Sequence, residues 1–150
     1  MLEDFIERND INAEFINFST NSSTDLLIAN KKLPASSTVK IQLFNSKNNN
    51  PFIVITPFQS ELNFEKIKLI MLENDLVEQN SDESVEITGY KKGFIPPISI
   101  FGIKIIIDYS LKTKNFLFCR VSEKSFLKVF LKSVLETNED ILFENICSKS

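Results

Sequence analysis

The chain has 150 residues, 43% hydrophobic and 25% charged, with a net charge of −3. That suffices for one globular domain, residues 1–150, burying about 70% of its unfolded surface, and it excludes a disordered tail. The chain has two Cys and no His, which excludes Ser-His and Cys-His nucleophile pairs, imidazole zinc sites and a four-thiolate site, so any chemistry must run on carboxylates, lysines, hydroxyls, backbone amides or bound water.

In chain order, Leu2, Phe5 and Ile6 at helical spacing predict a short helix over Met1–Arg8, and Phe15–Phe18 reads as a strand. Ser22, with Asp25 three residues on, predicts an N-cap for a helix to about Lys32, ended by Leu33-Pro34. Thr38–Phe44 and Phe52–Ile55 read as a hairpin around the polar turn Asn45–Asn50. Asn63 is expected to cap a helix carrying Phe64, Ile67, Ile70 and Met71, and Asn80, followed by Glu83, to cap another through Ile87. Gly102–Asp108 and Asn115–Val121 read as strands. Glu123–Thr137 is expected to be the longest helix, with Phe126, Phe130 and Val134 on one stripe. Ile141–Ile146 is a final strand or turn. A hairpin among alternating elements predicts an α+β fold with a mixed sheet.

No apolar run reaches the roughly 18 residues of a membrane helix, so no membrane partner is expected. The acidic start lacks the order of a secretory signal. Cys119, within Phe116-Leu-Phe-Cys119, reads as a buried core thiol, and both cysteines fit a reducing, cytoplasmic compartment.

The chain's three glycines, Gly89, Gly93 and Gly102, share one window with Pro96 and Pro97. Glycine admits positive φ and proline fixes φ, so Thr88-Gly-Tyr-Lys-Lys-Gly-Phe-Ile-Pro-Pro97 concentrates unusual backbone geometry. It is either an ordinary connection, with Gly89 closing a helix, or a rigid loop whose amides bind a carbonyl or anion. On the strand Thr38–Phe44, Val39, Ile41 and Leu43 face one side and Lys40, Gln42 and Phe44 the other, so Lys40 points to solvent or into a cleft.

Together these two segments resemble the YbaK/ProX family of aminoacyl-tRNA deacylases, which includes the editing domain of bacterial-type prolyl-tRNA synthetases. The resemblance rests on Val39-Lys40-Ile41, Thr88-Gly89-Tyr90, Gly93-Phe94-Ile95-Pro96-Pro97 and Ile105-Ile-Ile-Asp108, and it spans roughly residues 1–135. It implies a mixed, partly barrelled sheet surrounded by helices, with no cofactor and no metal. It implies a free-standing trans-editing enzyme that hydrolyses the ester of a mischarged tRNA bearing a small amino acid, with the tRNA 3′ end and a synthetase as partners. By the same resemblance, the loop of Gly93, Phe94, Ile95, Pro96 and Pro97 would present main-chain amides to the ester. Lys40 would position the aminoacyl group or terminal nucleotide, and Thr88, Gly89, Tyr90, Lys91, Lys92 and Asp108 would bind substrate. Asp108 either orients water or a lysine there, or is a structural carboxylate. Many members carry Gly where this chain has Phe94, and a Gly-rich turn where it has Phe118–Glu123. Hence two alternatives: a non-catalytic tRNA-end or synthetase-binding module with Phe94 filling the pocket, or a small-molecule aminoacyl- or nucleotide-binding protein.

Charge is uneven. Residues 31–59 and 91–114 each sum to +4, against −5 for residues 1–30 and −6 for residues 60–90. The positive segments hold Lys40 and the Gly/Pro loop, which predicts a basic mouth for a single-stranded phosphate end on an acidic body. Lys124, Lys128 and Lys132 form a second row at helical spacing, either a solvated face or a tRNA-stem contact.

Overall fold

The computed structural model describes residues 1–148. In chain order it contains α1 (Leu2–Arg8), β1 (Ala13–Asn17), α2 (Thr24–Ala29), β2 (Val39–Ser46), β3 (Phe52–Pro57), α3 (Phe64–Met71) and β4 (Leu76–Glu78). It continues with α4 (Ser81–Thr88), β5 (Lys104–Asp108), a 3-10 turn (Tyr109–Leu111), β6 (Phe116–Arg120), β7 (Ser125–Phe130), α5 (Leu131–Thr137) and β8 (Ile141–Glu144).

The strands form two sheets, a five-stranded one ordered β4-β2-β3-β5-β8 and an antiparallel three-stranded one ordered β1-β7-β6. The larger sheet is mixed: β3 runs antiparallel to β2 and parallel to β5, and β5 parallel to β8. The sheets meet where Thr38 bridges Phe118, with the Phe118 amide donating to Ser37 at 2.9 Å. The result is the expected mixed, partly rolled sheet with helices around it.

Local chemistry accounts for most element boundaries. Phe52–Ile55 and Ile105–Ile107 are unbroken apolar runs, and both are wholly buried because β3 and β5 lie inside the larger sheet with both faces covered. Val39, Ile41 and Leu43 pack into the main core as their alternation predicts, while Phe44 packs into a second cluster with Phe52, Ile67 and Ile106. Asn63 caps α3, and Asn80 with Glu83 forms a reciprocal capping box on α4. The α2 cap is Ser23, not Ser22, and this helix ends at Ala29, three residues before the expected Lys32.

One expected element is overturned. Glu123–Thr137 is not one helix but the strand β7 followed by the short helix α5. Of the expected stripe only Val134 lies on a helix, where it is buried with Leu131. Within Ser125–Phe130, however, Phe126 packs with Phe18 and Phe118 on one side, while Leu127 and Val129 enter the main core. Pairing with β1 on one edge and β6 on the other makes β7 the centre of its sheet, and that outweighs a helical period in an aromatic and β-branched segment. The row Lys124, Lys128, Lys132 therefore does not exist as a helix face. The Lys128 ammonium lies 3.5 Å from Glu14 and 4.4 Å from the Phe116 ring centre.

Candidate active site

The β2 strand leaves part of one edge uncovered. Thr38, the residue before it, bridges β6, and the ladder of β2 with β4 runs from Phe44 to Ser46. A cavity of about 290 Å³ opens along the stretch between. Its apolar wall includes Val39, Ile41, Ile95 and Cys119, and its polar rim Lys40, Gln42, Glu78, Lys92 and Arg120. Gly93 and Phe94 complete it from the Gly/Pro loop. The two segments singled out in the sequence thus line one cavity, and Phe94 forms part of the wall while leaving the cavity open.

The loop begins at Gly89, which ends α4 in the left-handed conformation, its N–H donating to Val85. The Phe94 amide then donates to the Lys91 carbonyl at 2.9 Å, closing a turn with Gly93 at φ +88°. Lys92 does not have positive φ, so this is a type II turn, whose third position favours glycine. The turn limits which residues of the loop Gly93–Pro97 have a free N–H. Phe94 spends its N–H inside the turn, and Pro96 and Pro97 have none. Among the described residues, the Gly93 and Ile95 amides are left without an acceptor.

Both ends of the loop are braced. Ser84 Oγ donates to the Tyr90 carbonyl at 2.7 Å, Thr88 Oγ1 donates to the Ser84 carbonyl at 2.8 Å, and the Tyr90 amide donates to Thr88 Oγ1 at 3.0 Å. The Tyr90 hydroxyl bonds Ser99 Oγ at 3.0 Å, and burial pushes the phenol's pKa above its ordinary value. Thr88 and Tyr90, expected to touch substrate, make these bonds within the scaffold. Downstream, Asn138 Nδ2 donates to the Pro97 carbonyl and to Val134, each at 2.8 Å. Neither Ser84 nor Asn138 carried a sequence signal.

Lys40 donates from Nζ to the Ser60 carbonyl at 2.7 Å. Asp108 is buried at the end of β5, accepting from the Ser110 amide and hydroxyl and from the Ile146 amide. It does not line the cavity; it fastens the C-terminal segment to the sheet. Near it, burial first and then the Asp108 carboxylate push the Cys147 thiol up to about 11, while the Lys40 ammonium acts in the opposite direction. Cys119, fully enclosed, is pushed up to about 12 by burial and is a neutral apolar wall.

The rim is mainly basic. Lys92 lies 3.8 Å from Glu78, and Gln42 Nε2 donates to Glu78 Oε1 at 3.3 Å. Lys91 is exposed beside it, outside the cavity lining. Arg120 is anchored to the Ser22 and Glu123 carbonyls and stacks 4.6 Å over Phe126, tying the β6–β7 turn to the start of α2.

A sequence profile described as the aminoacyl-tRNA editing domain matches residues 21–131. A proline–tRNA ligase of Fervidobacterium nodosum is 32% identical over 85 residues, and one of Thermosipho africanus is 33% identical over 86. Each match covers 56% of this chain but only 15% of the ligase. The fold is similar to the crystal structure of a hypothetical protein, APE2540, at TM-score 0.82, 17% identity, 98% of this chain and 99% of that one. It is also similar to a candidate trans-editing enzyme for prolyl tRNA synthetase, at TM-score 0.79, 14% identity, 99% of this chain and 95% of that one.

Proposed function

The chain belongs to the aminoacyl-tRNA editing domain family, and from that premise we propose that it is an aminoacyl-tRNA deacylase, hydrolysing the ester that joins a small amino acid to the tRNA 3′ end. The carrying observation is the pair of acceptor-free amides, Gly93 and Ile95, at a cavity shared with Lys40.

An aminoacyl ester is activated, and a backbone N–H aimed at its developing oxyanion supplies about 3 kcal/mol of transition-state stabilisation. That mechanism needs no imidazole. The turn holds its donors in place before substrate arrives, so little reorganisation accompanies the reaction. Lys40, Lys92 and Arg120 give the mouth the positive charge that a single-stranded phosphate end requires. The apolar wall of Val39, Ile41, Ile95 and Cys119 suits an uncharged side chain on the acyl group. The same reading makes charged tRNA the partner, with a synthetase as a second partner, and translation fidelity in the cytoplasm the setting.

Purified protein incubated with tRNAs charged with Ala, Ser, Cys and Pro tests the reading. Release of one of the small amino acids is the expected result. Intact ester on all of them overturns it.

A further inference from the structure

The cavity rim carries three cations, Lys40, Lys92 and Arg120, and a single carboxylate, Glu78, among the described residues that line it. The proposed substrate has the complementary charges: anionic phosphates along the nucleotide end and, on the acyl group, an α-amino function that titrates near about 8 and so is cationic at neutral pH. Resting on the deacylase reading, we propose that the Glu78 carboxylate binds the α-ammonium group of the substrate, making the site selective for tRNAs whose amino acid has a free amine over those with an acylated one.

The position fits that task. Glu78 ends β4, where it pairs across from Phe44, and Gln42 of the neighbouring strand donates to its Oε1 at 3.3 Å. Its other oxygen faces Lys92 at 3.8 Å, and Lys92 immediately precedes Gly93. The carboxylate thus lines the same cavity as the turn whose amides would face the ester carbonyl. In an α-amino ester the nitrogen and the carbonyl carbon share one neighbour, Cα, so an ammonium anchor must stand next to the oxyanion donors.

The partners present leave Glu78 room for this. A carboxylate offers about four acceptor directions. The Lys92 side chain is 51% exposed and its contact is long, so that pair is loose, solvent-screened and readily shared. Glu78 itself is only 29% exposed, where a charge-assisted hydrogen bond to a bound ammonium is worth more than in open water. An acylated amine carries no charge and leaves the carboxylate without that partner.

The test uses a non-hydrolysable amide analogue of alanyl-adenosine and its N-acetyl derivative, titrated into the wild-type chain and Glu78→Gln, an isosteric change. The wild type is expected to bind the free-amine analogue about tenfold tighter or more. Glu78→Gln is expected to lose that preference while binding the N-acetyl analogue as the wild type does, which also reports an intact fold. Wild type without the preference, or Glu78→Gln retaining it, overturns the assignment. A wild type that shows the preference but releases no amino acid from charged tRNA overturns the deacylase reading and leaves Glu78 as the ammonium site.

Discussion

The Lys40 ammonium reaches the Ser60 carbonyl at 2.7 Å, and this bond ties the site to the C-terminal segment. Ser60 precedes a stretch clasped from the other end of the chain: Asn63 donates to Ile146 and Ser148 to Glu61, each at 2.8 Å. Asp108 in turn holds the Ile146 amide at 3.1 Å. Among the described residues, the Ser60 carbonyl takes one of the three ammonium donors. Asp108 and the C-terminal residues therefore place Lys40 without touching the cavity. Lys40→Ala should lower kcat/KM for deacylation about tenfold or more, while circular dichroism shows a folded chain. An unchanged rate removes Lys40 from the site.

Gly93 separates backbone strain from crowding. A Cβ there would meet no atom within 4 Å, yet φ is +88°. Gly93→Ala should cost about 1 kcal/mol of stability through the left-handed backbone alone and should depress the deacylation rate far more than a chemical melt shifts. Gly89→Ala carries the same kind of strain at φ +87° and a 3.2 Å approach to the flexible end of Met1. It lies outside the turn, so its activity loss should be the smaller. Equal losses would contradict the turn as the catalytic element.

Asn138 holds the far end of the loop through Pro97. Asn138→Ala removes two hydrogen bonds and should cost about 1–2 kcal/mol in urea unfolding. Because the loop then loses pre-organisation but no charge, kcat should fall while KM stays nearly unchanged. A rise in KM alone would point to a role in binding.

Burial of the cysteines sets an alkaline limit. Cys119 rises from its ordinary 9.0 to about 12 and Cys147 to about 11. The folded state holds these protons more tightly than the unfolded chain, so stability is at full strength below about pH 9 and declines as pH rises through the folded values. Urea midpoints measured from pH 7 to 11 should fall above pH 9. Cys119→Ala should flatten that slope even though it lowers stability throughout, since it removes the larger titration.

Several features were legible because their causes are local. A glycine at the third position of a tight turn, two prolines that lack N–H, and Asn with Glu three residues on each act within a few residues of themselves. Hence the Gly93 loop and the Asn63 and Asn80 caps stand where expected. The segment Ser125–Phe130 shows where local reading failed. Its apolar spacing suits either period, and only pairing with β1 and β6 decides between them. The strand β4 is three residues long and has no period to read.

The amino-acid sequence by itself determined the available chemistry: no imidazole, a stiff loop with few donors, and positive charge gathered on the two segments that line the cavity. Tertiary structure alone decided which donors stay open, because the Phe94 amide could be known as spent only once the turn closed. It also brought Glu78 beside Gln42 and Lys92, and Asn138 to Pro97 across 41 positions of chain. Such meetings depend on how strands and helices pack, and residues that far apart in sequence leave no pattern of their own until the packing brings them together.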